Sequence, residues 1–208
     1  MNSTELFNAL YSGVKFTKVE LSEFEKLVLV ILIKQSSFKN SYESLLNLKA
    51  YLSLESLANL ESEVLANFIK PSGNAKKKSV TLLNLCKNIL DEFGDFEFFK
   101  SSASKEWLLQ NKGVSIVSVD EIMSFVCGAE EMAVSTQALK ITKFLNYEFE
   151  SYFEAKEWFE NIELDKLEYE FKSLNEFFCL YQALIYEFSN LHIKGSNLSQ
   201  KGKEILSF

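Results

Sequence analysis

The sequence contains no arginine, and all 22 of its cationic residues are lysines. The planar guanidinium of arginine grips phosphate and guanine through two parallel hydrogen bonds, so that form of recognition is excluded. Any contact with an anion must come from lysine ammonium groups, backbone N–H groups or helix ends.

Glycine, proline and cysteine are also scarce. Seven glycines and one proline in 208 residues disfavour a β-rich fold, which needs many turns. The three cysteines, Cys86, Cys127 and Cys179, are far apart in sequence and none belongs to a Cys-x-x-Cys pair. A disulfide framework and a zinc site are therefore poorly supported, and buried thiols in a reducing compartment fit better. We expect no metal and no cofactor.

Long apolar runs are missing as well. Residues 27–33 form the nearest candidate, and they fall far short of the roughly 18 residues that a membrane span needs. The first residues show no basic segment followed by an apolar one, so we expect a cytoplasmic protein without a membrane partner. The hydrophobic content of 47% is enough for one large domain or two small lobes with a true core.

Charge is distributed unevenly along the chain. The formal net charge is −7, which argues against a nucleic-acid partner. Residues 70–113, however, hold eight lysines against five acids, a local +3, whereas residues 144–193 hold three lysines against eleven acids, a local −8. A local basic face matters more to an anionic partner than the total charge does.

Hydrophobic periodicity predicts an all-α fold. Apolar residues at i, i+3 and i+4 predict a helix over residues 21–32, a second over 41–52 and a third over 75–93, the last capped by Asn74. No segment shows clear strand alternation. The polar residues 191–208 are predicted to form a loosely held tail.

Three lysines, Lys76, Lys77 and Lys78, crowd the first turn of the third helix, directly after a Pro-Ser-Gly-Asn break. Positive charge opposes the helix dipole there. Two interpretations remain open: a solvated run of charge, or an external anion that completes the site at the helix N-terminus.

The most informative stretch is residues 107–136. A helix end runs into the turn Lys112, Gly113, Val114 and Ser115, and a second amphipathic helix follows. A Gly-apolar-Gly turn between two helices lets the backbone approach a phosphate, because its N–H groups and the next helix N-terminus donate hydrogen bonds. Ser115 replaces the second glycine and tolerates positive φ less well, although its hydroxyl can donate.

With these features, the chain resembles the helix-hairpin-helix DNA glycosylases of base-excision repair, and among them the 3-methyladenine glycosylase III type. The resemblance spans residues 21–188, most of the chain. It implies one all-α domain of two lobes: residues 20–130 with the hairpin at 112–116, and a second lobe from the N-terminal residues plus 131–190. The segments that carry it, in order, are residues 69–73, 105–109, 112–114, 120–122, 125–127 and 133–136.

The resemblance also implies chemistry. Such enzymes flip a damaged nucleotide out of the duplex and hydrolyse its base–sugar bond, aided by an aspartate that follows the hairpin. In this sequence the position of the aspartate is Ser135. A neutral hydroxyl supplies no negative charge, so several kcal/mol of transition-state stabilisation should be lost. The lysine of strand-cleaving relatives is replaced by Val117, and the four-cysteine iron–sulfur motif is absent.

Two further features of the glycosylase III type are missing. Its aromatic pair with proline near the N-terminus corresponds to residues 13–16, which contain no tryptophan. The helix that bears its C-terminal lysine corresponds to Tyr186, Glu187 and Phe188.

The expected partner is double-stranded DNA, with or without damage. The resemblance assigns the DNA backbone to Lys112, Gly113, Val114 and Ser115, and the basic helix start at Lys76, Lys77 and Lys78 is the second candidate. Gln35 matches a glutamine that relatives use to fill the gap left by a flipped base; a polar helix end is the alternative.

Three functions remain. The first is a DNA-binding protein whose glycosylase activity is lost or weak. The second is an active monofunctional glycosylase with a relocated carboxylate, for which Asp120, Glu130 and Glu131 are nearest in sequence. The third is a non-catalytic helical scaffold that binds a protein partner through its acidic C-terminal lobe.

Overall fold

The computed structural model describes residues 1–16 and 19–207. Over those residues the regular structure is helical apart from one pair of two-residue strands, which confirms the predicted all-α class. Three short 3-10 turns supplement the helices, at Lys49–Tyr51, Lys70–Ser72 and Leu164–Lys166. The elements are α1 (Ser3–Gly13), α2 (Glu23–Ile33), α3 (Phe38–Asn47), α4 (Leu54–Ala58), α5 (Ser62–Phe68), α6 (Ala75–Phe93), α7 (Phe96–Ser102), α8 (Lys105–Gln110), α9 (Ile116–Phe125), α10 (Thr136–Phe144), α11 (Tyr152–Glu160), α12 (Leu174–His192), β1 (Ile193–Lys194), β2 (Asn197–Leu198) and α13 (Gln200–Ile205).

The chain divides into two compact units. The hairpin unit is Glu20–Ala129, one unbroken stretch of sequence. The split unit joins Met1–Val19 to Glu130–Phe208. Each unit has its own hydrophobic core.

The core of the hairpin unit surrounds α6, which packs against α2, α4, α5 and α7. Leu82, Cys86 and Ile89 recur along one face of α6 and are fully buried, as the helical period requires. The α2 helix opens with a capping box, in which Ser22 and Glu25 each bond the other's backbone N–H. The predicted helices at α2 and α6 are confirmed.

The helix predicted over residues 41–52 is wrong at both ends. It starts at Phe38, because the Ser37 hydroxyl accepts the Asn40 N–H at 3.2 Å and caps the helix earlier. It ends at Asn47, and a 3-10 turn at Lys49–Tyr51 follows. Leucine periodicity alone did not distinguish that turn from continuous helix.

The core of the split unit is rich in aromatic rings. Phe7, Phe159, Phe177 and Tyr181 are fully buried, and their ring centroids lie 4.6–5.9 Å apart where they meet. The Tyr181 hydroxyl donates to the Ser3 carbonyl at 3.0 Å, so the phenol remains satisfied inside the core. This bond ties the start of α1 to α12.

The polar tail is packed, contrary to the expectation of loose attachment. Strands β1 and β2 pair antiparallel, and Ser199 then caps α13. Leu206 is 2% exposed, and a Cβ added to Gly13 would lie 2.7 Å from Ile205 Cγ1. A few apolar side chains among polar neighbours therefore suffice to fix this segment on α1.

Among the helices of the described residues, none has the length and apolar character that crossing a bilayer demands.

Candidate functional site

The turn between α8 and α9 is built around Gly113. Its φ is +94°, and a Cβ added there would lie 2.2 Å from Thr81 Oγ1 on α6. Glycine is therefore needed for conformation and for close packing. The neighbouring Val114 is 9% exposed and anchors the turn in the core, whereas Lys112 is exposed.

Ser115, in place of the second glycine, is not strained. Its φ of −102° and ψ of 166° are extended, and its hydroxyl accepts the Ser118 N–H at 3.3 Å as the N-cap of α9. The expected penalty for positive φ at this serine does not arise. The turn thus leads directly into the N-terminus of α9, where the helix dipole is positive.

Side chains from elsewhere in the unit hold the turn in place. The Lys34 ammonium donates to the Gly113 carbonyl at 3.2 Å. The Thr81 hydroxyl donates to the Lys112 carbonyl at 3.4 Å. These contacts join the end of α2 and the body of α6 to the turn, and sequence reasoning missed them because the partners are 79 and 31 residues apart.

A second pair of loops meets at Gln35 and Asn74. Both residues have left-handed backbone angles, with φ of +54° and +51°. The Asn74 amide donates to Gln35 Oε1 at 3.1 Å. Asn74 occupies the N-cap position of α6, as expected, but its side chain makes no capping bond to the helix, because its amide bonds Gln35 instead.

The three lysines at the start of α6 separate into two kinds. Lys76 and Lys77 are exposed, as a surface role requires. Lys78 is 6% exposed, and its ammonium donates to the carbonyls of Leu32 at 2.6 Å and Ser72 at 2.7 Å. Burial lowers the pKa of Lys78 to about 8. Lys78 thus departs from the expected surface position, because helix periodicity turns it inward.

These segments make up what we call the hairpin surface: residues 34–35, 73–77 and 112–115. They contain four exposed lysines, and their sequence has no carboxylate. In the described part of the hairpin unit, the non-glycine residues at positive φ are Gln35 and Asn74, and both belong to it. Backbone strain of this kind concentrates at binding sites.

Ser135 lies in the split unit, at the N-cap of α10. Its hydroxyl accepts the Ala138 N–H at 3.2 Å, and the residue is 4% exposed. The segment before it is fixed by two bonds. The Met132 N–H donates to Glu160 at 2.9 Å, and the Val134 N–H donates to the Tyr152 hydroxyl at 3.4 Å.

The carboxylates nearest to Ser135 in sequence have different surroundings. Glu131 is ion-paired with Lys156 in a largely buried site. Asp120 belongs to the hairpin unit, where it is 1% exposed and its Oδ1 lies 2.7 Å from the Lys105 ammonium. Glu130 is exposed at the start of the split unit.

Three residues from the positions at which the family's other functional residues were expected make structural contacts. Val117 is half-buried in the first turn of α9. Phe188 is fully buried in α12, in the core of the split unit. Gly13 ends α1 against Ile205. Across the residues that the structure describes, no group of three or more His, Cys, Asp or Glu side chains is placed to hold a metal.

The split unit also carries a groove of about 860 Å³ lined by aromatic rings and acids, which we call the acidic groove. Phe153, at its edge, is 70% exposed. The rings of Tyr147, Phe149 and Trp158 cluster beside it, with centroids 4.9–6.2 Å apart. Four glutamates against one lysine line the groove, namely Glu148, Glu154, Glu157 and Glu160 against Lys156.

Comparison with known proteins gives structural neighbours. The structure of H. pylori 3-methyladenine DNA glycosylase (MagIII) bound to 1,N6-ethenoadenine is 30% identical, with a TM-score of 0.82 over 93% of this chain and 100% of that one. A trapped endonuclease III–DNA covalent intermediate, an estranged-adenine complex, is 16% identical, with a TM-score of 0.73 over 98% and 95%. A non-covalent endonuclease III–DNA complex is 17% identical, with a TM-score of 0.72 over 97% and 94%. No sequence-family profile and no curated relative matches the chain.

Proposed function

The chain belongs to the helix-hairpin-helix family of DNA glycosylases, and from this premise we propose that it binds double-stranded DNA through the hairpin surface. The observation that carries the proposal is the Gly113 turn, which leads into the N-terminus of α9, together with the four exposed lysines of the hairpin surface. Backbone N–H groups, a helix N-terminus and lysines are the donors available to a chain without arginine.

In this arrangement the turn residues Lys112, Gly113 and Ser115 contact the phosphate backbone and set the register of the protein on the duplex. Lys76 and Lys77 add charge at the start of α6. Gln35, by its match to the family's gap-filling glutamine, enters the space left by a displaced base.

Salt dependence tests the binding mode. If four lysines neutralise four phosphates, log K should fall with log salt at a slope of roughly −3 to −4, or about 100-fold between 50 and 200 mM salt. We expect Lys76→Glu, Lys77→Glu and Lys112→Glu each to weaken the binding of a fluorescent duplex and to flatten the slope. Lys203→Glu, at an exposed site on α13, is the matched control and should change neither the affinity nor the slope. If it weakened binding as much as the other three substitutions do, the assignment would be contradicted.

We further propose that glycosylase activity is lost or weak. Ser135 reproduces the helix-capping bond that an aspartate would make, but it brings no negative charge to the position. Stabilisation of a developing sugar cation by a carboxylate is an electrostatic effect of several kcal/mol, so its loss slows hydrolysis by orders of magnitude.

The proposed substrate class is taken from the MagIII structure, which is bound to 1,N6-ethenoadenine. We propose alkylated or etheno-modified purines as the lesions recognised. The test is single-turnover base release from a 1,N6-ethenoadenine duplex and from methylated duplex DNA by wild type, Ser135→Asp and Ser135→Asn. Asparagine has the shape of aspartate without its charge.

We expect release only with Ser135→Asp. Activity in the wild type would favour the second candidate, an active enzyme with a relocated carboxylate. Glu130 would then be the first residue to neutralise, since it is exposed whereas Glu131 and Asp120 are in ion pairs. If none of the three proteins released a base although all of them bound DNA, the lesion pocket would have changed as well.

A protein partner is a separate proposal, supported by the acidic groove. An exposed phenylalanine beside glutamates and stacked aromatic rings suits a lysine- or arginine-bearing peptide segment, through ion pairing and cation–π contact. The probe is a fluorescent lysine-rich peptide. Phe153→Ala and Glu157→Lys should each weaken binding, whereas Glu63→Lys on α5 should have no effect. If Glu63→Lys weakened binding as much as Glu157→Lys does, the peptide would be responding to the net charge of the protein and not to the acidic groove.

A further inference from the structure

Two loops of the hairpin surface are joined at two levels. The end of α2 and the segment before α6 meet at the surface through the amides of Gln35 and Asn74, 3.1 Å apart. Below the surface, the Lys78 ammonium bridges the same two segments by bonding the Leu32 and Ser72 carbonyls at 2.6 and 2.7 Å. The two segments are therefore joined below the surface by the buried Lys78 ammonium and at the surface by the exposed amide pair.

Stability does not account for the exposed pair. A left-handed backbone costs about 1 kcal/mol or more at a residue such as Gln35, and less at an asparagine such as Asn74. A solvent-exposed hydrogen bond between neutral amides returns about 1 kcal/mol at most. Glycine at either position would retain the turn without strain, so the presence of the two amide side chains needs an explanation other than stability.

The remaining hydrogen-bonding capacity of the pair indicates that reason. An amide side chain has two N–H donors and an oxygen that accepts two bonds. The contact with Asn74 uses one acceptor position of Gln35 and leaves its two N–H donors for a ligand. Amide side chains suit base edges, whereas the lysines around them suit phosphates.

We infer that Asn74 is a positioning residue that fixes the Gln35 side chain for contact with an unpaired base, with Lys78 supporting both loops from below. The inference rests on the proposed DNA-binding function. Because the amide is held before DNA arrives, the side chain loses less conformational freedom on binding, which strengthens the contact.

Glycine substitutions separate the side chain from the backbone. Asn74→Gly retains φ near +51° without strain and removes the amide. Gln35→Gly does the same on the other side of the pair. Asn146→Gly is the matched control, because Asn146 is also a left-handed asparagine, at φ +62° in the split unit. The probes are a fluorescent duplex with a tetrahydrofuran abasic-site analogue opposite adenine, and the same duplex without damage.

We expect Asn74→Gly to weaken binding to the abasic duplex by about threefold to tenfold. Binding to the intact duplex should weaken less than binding to the abasic duplex, and the salt slope and thermal midpoint should match those of Asn146→Gly. Gln35→Gly should show a similar loss, and the double variant should be no weaker than Gln35→Gly alone, because Asn74 acts through Gln35.

Other outcomes overturn the inference. Additive losses in the double variant would mean that Asn74 contacts DNA independently, and an equal loss on both duplexes would mean a general structural role. Wild-type affinity in Asn74→Gly beside a weak Gln35→Gly would mean that Gln35 needs no positioning. If the wild type binds neither duplex, the DNA-binding proposal itself fails, which is a separate result.

A measurement without DNA completes the test. The side-chain amide resonances of Gln35 in isotope-labelled protein report its order on the picosecond-to-nanosecond timescale. They should be ordered in the wild type and mobile in Asn74→Gly. Unchanged order in the variant would contradict positioning whatever the DNA assays show.

Discussion

Ser115 and Ser135 occupy positions where the family resemblance expects a glycine and an aspartate, and both are helix N-caps with nearly the same bond. Ser115 accepts the Ser118 N–H at 3.3 Å at the start of α9. Ser135 accepts the Ala138 N–H at 3.2 Å at the start of α10. Their backbone conformations are also alike, extended with ψ near 165°.

The consequences of the two serines nevertheless differ, because the residues they replace had different tasks. A glycine is needed where φ is positive, and in the hairpin turn that position is Gly113 rather than Ser115. An aspartate at the Ser135 position would supply charge as well as a cap, and serine supplies only the cap. Local geometry can therefore survive a substitution that removes chemistry.

The largest effect in the hairpin turn should come from Gly113→Ala. The added methyl would meet Thr81 at 2.2 Å and alanine would be forced to φ +94°, so we expect a loss of about 2 kcal/mol in unfolding free energy. The distorted turn should bind duplex DNA at least about tenfold more weakly. Chemical denaturation and fluorescence anisotropy measure both. Ser115→Gly is the control and should bind within about twofold of wild type; comparable losses in both variants would erase the distinction between the two turn positions.

Lys78→Met should come next. It leaves the Leu32 and Ser72 carbonyls without the ammonium, and unmade bonds to buried acceptors cost about 1–3 kcal/mol. We expect a loss of about 2 kcal/mol at pH 7 in urea denaturation. Lys76 is exposed and lies two residues before Lys78, so the unfolding free energy of Lys76→Met should stay within about 0.5 kcal/mol of wild type. If Lys78→Met left the free energy of unfolding unchanged, the two loops would not depend on the buried cation.

The pH dependence of Lys78 sharpens the same contrast. Its pKa is about 8 in the folded protein, below the value of about 10.4 expected for an unfolded lysine. The unfolded state then binds more protons between these values, so this group makes the protein more stable as pH rises through that window. Wild type should gain unfolding free energy relative to Lys78→Met from pH 8 to pH 10, and Lys76→Met should run parallel to wild type.

The smallest effects should come from removing the two caps. Ser115→Ala and Ser135→Ala should each cost about 1 kcal/mol by thermal unfolding, because each loses one N-cap bond. Ser115→Ala should weaken duplex binding by no more than about threefold, and Ser135→Ala should leave it unchanged. A large cost at Ser135 alone would mean that its hydroxyl does more than cap α10.

Sequence reasoning reached the helices and the hairpin because both are encoded over short distances. The i, i+3 and i+4 pattern of α2 and α6 and the single glycine at 113 are local signals. The Lys78 bridge, the Gln35–Asn74 pair and the Lys34 bond to Gly113 each join residues far apart along the chain, apart from Lys78 to Ser72. No local pattern announces them. The same limit hid the packing of the tail, whose anchor at Gly13 is nearly 200 residues away from Ile205.

The contact of Gly13 with Ile205 has a consequence for synthesis on the ribosome. Helix α1 emerges early, but α11, α12 and α13, on which it packs, are translated only after the whole of Glu20–Ala129. The contiguous unit can fold while the chain is still growing, and domains generally do so. The nascent α1 meanwhile carries the bare apolar side chains of Leu6, Phe7 and Leu10. During that interval these apolar side chains are available to bind a chaperone.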